Sequence, residues 1–276
     1  QILHMLRNYV GDDAFFASLK LYLETNKFSS VEVHNLRLAF EQVTGEDLNW
    51  FFNQWFLSFG HPDIEITLSY NDSAKKQKVE IKQIQDLRKT PLFKIPLAID
   101  VYEKGKKQRH KVVLSKATEV FEFDVTSKPD LVNVDGDKML LCEKQEQKSI
   151  AEYTFQYKNA PLYLDRKEAL QGLLKTPLDS IGKQVVLSAL NDKMWSIRAY
   201  VISELNKISK GNEQTIKKYL VSIASDDSIA NVRRAAIDYL SANYKYKDLL
   251  SLYSYTWNDR SYGVLGSSIL AITKLD

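Results

Sequence analysis

Apolar residues recur at helical spacing through the first sixty positions, at strand spacing through the next eighty or so, and at helical spacing again to the end. Ile2, Leu3, Leu6 and Val10 share one helical face, and Gly11 closes that helix. Asp12 or Asp13 then caps a second helix, whose apolar stripe is Phe15, Phe16, Leu19, Tyr22 and Leu23. Ser29 and Glu32 have the spacing of a capping box for a third helix through Leu36, Ala39, Phe40 and Val43, with Gly45 at its C-terminal cap. Asp47 is placed to cap a short fourth helix carrying Trp50, Phe51, Phe52, Trp55 and Phe56 and running to about Phe59. Their neighbours on the apolar helices make these aromatics core residues rather than a binding patch. Four helices in sixty residues form part of a bundle, not a whole domain.

At Pro62 the period changes from 3.6 to 2. Ile64, Ile66, Leu68 and Tyr70 alternate with polar residues, as in a half-buried strand. Val79 and Ile81 do the same, as do Phe93, Ile95, Leu97, Ile99 and Val101. Further strands are predicted at 109–115, 119–125, 131–134 and 139–142. Asn71-Asp72-Ser73 and Lys104-Gly105-Lys106 supply turn chemistry between strand pairs. Pro96 inside a strand marks an edge or a bulge, and Gly136 in Asp135-Gly136-Asp137 marks the last hairpin. Seven short strands with this pattern predict a small antiparallel β-sandwich.

From about residue 150 the helical period returns, now with an internal repeat. Asp192, Ile197, Arg198, Ile202 and Leu205 recur as Asp227, Val232, Arg233, Ile237 and Leu240, each 35 positions later. A weaker third copy shares Ile272 and Leu275 at the same offset. This length, with Asp before the helix and Val/Ile-Arg inside it, resembles HEAT-type helix pairs, which bury their apolar faces only by stacking. Arg198 and Arg233 are expected to pair with Asp192 and Asp227 within each repeat rather than to line a concave binding surface. The fold class expected is α+β and multidomain: a helical bundle remnant (1–60), an antiparallel β-sandwich (61–146) and HEAT-like α-helical repeats (147–276).

Composition narrows the function classes. A formal net charge of +3 is too small to argue for nucleic acid or an anionic membrane surface. The one cysteine, Cys142, rules out an intrachain disulfide framework and a Cys-based zinc knuckle. No run approaches the roughly 20 apolar residues of a membrane span. The chain opens in mid-pattern at Gln1, without a start methionine or an N-cap, and is expected to be a fragment of a longer protein; a truncated C-terminus beyond Asp276 is expected too.

The aromatic helix resembles a "dL-wFF-QW" signature of the aminopeptidase N family of zinc metallopeptidases, carried here by Asp47-Leu48-Asn49-Trp50-Phe51-Phe52-Asn53-Gln54-Trp55. Two flanking stretches are similar to the same family: Gln1 to Arg7 with Val10 to Phe16, and Gly60-His61-Pro62 leading into a strand. The resemblance covers residues 1–145 and extends more loosely into the helical repeats. It implies a parent enzyme that removes N-terminal residues from peptides. In that family the two His of HExxH and a downstream Glu hold zinc, the HExxH Glu is the general base, a Tyr stabilises the tetrahedral intermediate, and a GxMEN stretch binds the free amine. Zinc is needed there because it brings the pKa of its bound water to about 7.

None of that machinery is in this sequence. His4, His34, His61 and His110 are followed by Met, Asn, Pro and Lys, so no HExxH exists, and their positions lack any ligand spacing. His4 lies off the apolar stripe of its helix, His61 positions a helix-to-strand turn, and His110 belongs to a charged hairpin. Gly105-Lys106 and Gly182-Lys183 lack the phosphate-loop pattern, no Gly-x-Ser-x-Gly elbow occurs, and Cys142 reads as a small core residue. The basic run from Lys104 to Lys111 has no interleaved aromatics and reads as a solvated hairpin tip. The chain is therefore expected to carry no catalytic, cofactor-binding or metal residue. Zinc and peptide substrate belong to the full-length parent, in which this part supports and caps the active site beside the rest of its own catalytic domain. The rival expectation is a non-catalytic scaffold or peptide-binding protein that uses the HEAT-like repeats.

Overall fold

The computed structural model describes residues 1–273, the side chain of Tyr246 excepted. The described residues form a mixed α/β structure of twelve α-helices and two small sheets. The chain divides into two compact units, Gln1–Gln147 and Lys148–Asp276.

The first unit opens with α1 (Ile2–Val10), α2 (Asp12–Thr25), α3 (Val33–Thr44) and α4 (Asn49–Trp55). Gly45 ends α3 in the left-handed region, at φ +73°, where its N–H donates to the Glu41 carbonyl; a side chain there would be strained. The start of α3 differs from expectation. The Glu32 amide donates to Asn35 Oδ1 at 2.8 Å, while the Ser29 hydroxyl turns back to the Asn26 carbonyl and belongs to the loop. Asp47 does receive the Asn49 amide at 2.8 Å. Helix α4 stops at Trp55, short of Phe59, because the Leu57 N–H takes the Phe52 carbonyl and leaves Leu57 and Phe59 exposed. On α2 only part of the apolar stripe is core: Phe15 is buried, whereas Phe16 and Leu23 are exposed.

Seven strands follow: β1 (Asp63–Asn71), β2 (Lys76–Gln83), β3 (Ile95–Glu103), β4 (Lys106–Leu114), β5 (Thr118–Asp124), β6 (Leu131–Val134) and β7 (Glu143–Glu146). They form a four-stranded sheet in the order β5-β2-β1-β7 and a three-stranded sheet in the order β4-β3-β6. The expectation of a purely antiparallel arrangement is corrected by β7, which runs parallel to β1 over Asp63–Ile66. No hairpin can do this, and β6 and β7 lie in different sheets, so Asp135-Gly136-Asp137 opens a crossover. Residues 139–142 are accordingly not a strand; the Met139 and Leu140 amides donate to the Asp135 carboxylate instead. Pro96 faces Val113 of β4, and β6 pairs only with Ile99–Tyr102, so the missing N–H falls where β3 has one neighbour. Met5, Leu6, Phe40 and Phe52 from the helices share one apolar core with Ile64, Ile81, Ile99 and Val134 from both sheets.

The second unit is helical: α5 (Ile150–Asn159), α6 (Tyr163–Leu173), α7 (Ser180–Ser188), α8 (Trp195–Glu204), α9 (Glu213–Asp226), α10 (Ala230–Asn243), α11 (Leu250–Thr256) and α12 (Tyr262–Thr273). Leu170, Val186, Ile197, Val201, Leu220, Val232, Ile237 and Tyr253 run through a single core. The third-copy match at Leu275 lies outside the described residues, and Ile272 packs against that core.

Candidate functional site

Two constructions are organised enough to carry function. The first is the seat of the aromatic helix. Phe51, Phe52 and Trp55 are buried, and the Trp55 ring lies 5.0 Å from that of Phe93. Burying each such ring is worth about 2–3 kcal/mol. Phe93 sits in a strap, residues 91–94, that no strand pairs; three glutamine side chains take the place of a neighbouring strand. Gln83 receives the Phe93 amide at 2.9 Å and donates to its carbonyl at 2.7 Å. Gln54, on α4, does the same for Lys94, at 2.7 and 3.0 Å. Gln85 donates to the Pro91 carbonyl at 3.0 Å and receives the Asp63 amide. The Lys94 ammonium stands 4.4 Å from the Trp50 ring. Sequence reasoning saw the aromatics and missed the glutamines, although Gln54 inside the aromatic helix was the available signal.

The second construction is an Asp–Arg ladder in the helical unit. Arg166 Nε and Nη2 donate to Asp192, Arg198 to Asp227 and Arg233 to Asp259, at 2.7–3.1 Å. Each Asp also receives the amide two residues on, from Met194, Ile229 and Ser261 respectively. The expected pairing inside a repeat is corrected. Arg198 touches its own repeat through the main-chain carbonyls of Asp192 and Lys193 and Arg233 through that of Asp227, and their forks reach the next repeat's carboxylate. Nη1 is taken by the main-chain carbonyl, which leaves Nε and Nη2 for the neighbour's carboxylate. The rungs with Arg166 and Asp259 were not anticipated, because Asp259 comes 32 residues after Asp227 and not 35. Burial pushes the Asp192 carboxyl up, but Arg166, the Met194 amide and the Tyr157 hydroxyl outweigh it and hold it below the usual range. A cleft of about 340 Å³ opens over this rung, lined by Tyr157, Lys158, Pro161, Arg166 and Lys193. Its floor is already hydrogen-bonded internally, so the rung holds the fold and offers no reactive group.

The histidines do not converge. His4 is exposed, His34 lies 3.4 Å from Glu32, and His61 lies 3.5 Å from Glu143. His110 stacks on Phe123 with ring centres 4.1 Å apart, and burial lowers its pKa. Among the described residues no group of three or more His, Cys, Asp or Glu could hold a metal. The basic run is taken apart by its own pairs. Arg109 forks onto buried Asp100, its partner across β3 and β4, and also reaches Asp137; Lys107 lies 3.6 Å from Asp100.

Comparison with known proteins places the α1–α4 region. Residues 1–55 match the Peptidase family M1 domain. The chain is M1-aminopeptidase-like. It is 29% identical over 137 residues to a leucyl aminopeptidase of Saccharolobus solfataricus, covering 49% of the chain and 17% of that protein. It is 26% identical over 191 residues to aminopeptidase N of Escherichia coli, covering 64% of the chain and 22% of that protein. The chain thus spans less than a quarter of the length of these relatives. A crystal structure of Legionella pneumophila aminopeptidase A in complex with aspartic acid has the same fold over 99% of the chain and 38% of its own, with a TM-score of 0.76 at 14% identity. M1 aminopeptidases are zinc enzymes, and the scattered histidines of this chain do not fit a zinc site. Within the M1-like stretch, the glutamine-strapped aromatic helix is what the chain has built. No helix is long and apolar enough to cross a membrane among the described residues.

Proposed function

We propose that the chain is the supporting, access-limiting part of a zinc-dependent aminopeptidase that hydrolyses N-terminal residues from peptides, and that it is inactive alone. In this reading residues 1–60 are the C-terminal helices of the metallopeptidase catalytic domain, residues 61–146 a β-sandwich spacer, and residues 147–276 a HEAT-like domain that caps the active site. The observation that carries it is the M1 match confined to α1–α4, a stretch without metal ligands. The zinc and the general base then come from the remainder of the catalytic domain. This chain's contribution is positional: the glutamines seat the aromatic helix, and the ladder keeps the helical unit rigid.

The test is a polypeptide extended upstream through an HExxH segment, assayed against amino-acid aminomethylcoumarins with and without a zinc chelator. Chelator-sensitive cleavage supports the peptidase reading, and stoichiometric zinc on the 276-residue chain alone would refute its inactivity. A second reading, a non-catalytic peptide-binding scaffold, is favoured by the continuous Asp–Arg ladder, since stacked helix pairs make extended binding surfaces. Absence of both cleavage and bound metal from the extended polypeptide would support the scaffold.

A further inference from the structure

An exposed sheet edge invites pairing with another chain, and natural proteins blunt it with charge or short strands. The edge strands here are blunted, with one stretch left out. β4 carries Lys106, Lys107, Arg109 and Lys111, β5 carries Glu119, Glu122 and Asp124, and β6 and β7 are only four residues long. β1 spans nine residues, but β7 covers only Asp63–Ile66 of its outer side. Among the described residues no strand pairs with that side of Thr67–Asn71. Successive residues of a strand turn their amide and carbonyl to opposite edges. The Asp63 carbonyl accepts the Ile84 amide on the β2 side, and the Pro62 carbonyl accepts the Glu143 amide on the β7 side. By the same alternation Leu68 and Tyr70 turn theirs to the side that β7 has left. Thr67-Leu68-Ser69-Tyr70 holds no charge, proline or glycine, and Thr67 and Tyr70 favour strands. A cleft of about 370 Å³ opens beside this stretch, lined by Glu65 to Leu68 and by Gln145 to Gln147.

Leu68 and Tyr70 pack against the core of the unit and are only half-buried, so an added strand with apolar residues beside them completes their cover. Glu65 and Glu146 are the charged residues lining the cleft, and both are acids. Glu146 already meets Lys144 at 3.9 Å, whereas Lys82, opposite Glu65 in the ladder, turns to Glu80 at 3.1 Å. The exposed Glu65 carboxylate favours a cation from outside, and a second copy of the chain would bring the same acid to the same edge. We propose that the open edge of β1 takes an extended peptide as an added strand, apolar on the face of Leu68 and Tyr70 and basic on the face of Glu65. Main-chain hydrogen bonds to Leu68 and Tyr70 supply the affinity, and the alternation of the two side-chain types sets the register.

A fluorescein-labelled hexapeptide of alternating lysine and valine, blocked at both ends, tests this by fluorescence anisotropy on the 276-residue chain, with amide exchange read by NMR. The peptide binds and slows exchange of the Leu68 and Tyr70 amides at least about tenfold, while those of β4 stay unchanged. Of two peptides methylated at the valine or at the lysine nitrogens, the one whose methyls face β1 binds at least about tenfold more weakly. Leu68→Pro removes an edge N–H that β2 does not use and weakens binding to a similar degree; should that variant not fold, the methylated peptides carry the same test on the wild-type chain. Exchanging the lysines of the peptide for glutamates weakens binding, and Glu65→Lys restores it. No binding at about 1 mM peptide, protection only at other amides, or equal binding of the lysine and glutamate peptides overturns the proposal. Self-association that protects Leu68 and Tyr70 without any peptide overturns it as well.

Discussion

Replacing Asp227 by alanine removes the middle rung of the ladder, and the size of the effect can be worked out atom by atom. The carboxylate accepts Arg198 Nε and Nη2 at 2.7 Å each and the Ile229 amide at 2.9 Å. The two side chains are only 12% and 6% exposed. Stranding one charge of a buried pair costs about 3–5 kcal/mol. Arg198 keeps its bond to the Asp192 carbonyl, which favours the lower end, about 3 kcal/mol. Losing the turn bond to Ile229 adds about 1 kcal/mol. The helical unit should therefore lose about 4 kcal/mol, which for a unit of its size lowers the melting temperature by more than about 10 °C. Urea unfolding, with hydrogen exchange read on α8 and α10, measures this. Arg198→Met should be costly alone, and the double variant should cost about 2 kcal/mol less than the sum of the singles, because no charge is left unpaired. Single effects that add to within about 0.5 kcal/mol would falsify the claim that the rung acts as a unit.

Gly172→Ala should destabilise the second unit by about 1–3 kcal/mol in thermal melts, because the added carbon would run into the Tyr153 ring; an unchanged melting temperature would mean that ring can swing aside freely. Gln83→Leu leaves the buried Phe93 amide and carbonyl unpaired, at a cost of about 2–4 kcal/mol, and should speed amide exchange at Phe93 and Lys94 ahead of the rest of the unit; unchanged exchange there would show that the strap holds without it. The Arg233 hydrogen bond holds the Asp259 carboxyl below the usual range, against burial. A depressed folded pKa gives stability that is present above the unfolded value, about 3.9, and lost as pH falls through the folded one. Acid unfolding of Asp259→Asn should therefore be shallower in that window than that of the wild type, and identical slopes would exclude the rung as a source of acid sensitivity.

Elements whose signal is local were legible in the sequence. The Gly45 cap, the two β-hairpin turns and the 35-residue spacing of Asp192 and Asp227 each depend on a few neighbouring residues. Features set by distant partners were not. Glu143-Lys144-Gln145-Glu146 has no apolar alternation, so nothing local marks β7 as a strand, still less its parallel pairing with β1, which the crossover from β6 decides. Phe16 and Leu23 match the core period as well as Phe15 does, and only packing separates them. Gln54, Gln83 and Gln85 read as ordinary polar residues until the strap lies beside them. Asp259 was hidden because it follows Asp227 by 32 residues and not 35, with the seven-residue α11 standing where α9 has fourteen. As for the site, the resemblance pointed to the aromatic helix, while the strap residue that Gln54 holds, Lys94, lies 40 positions further along the chain.

The ladder also has a direction. Arg166 has a leucine carbonyl and a proline carbonyl behind it where later rungs have an aspartate, and Leu265 occupies the position that holds arginine at 198 and 233. Each rung thus ends in an acid on one side and a base on the other, like a row of identical couplings. Excising residues 192–226 would bring Arg166 opposite Asp227 at the same 26-residue separation it now has from Asp192. Duplicating the same stretch would leave every arginine with a carboxylate to meet. The helical unit is therefore built so that its length can change by whole repeats through one recombination event, with no rung left unpaired.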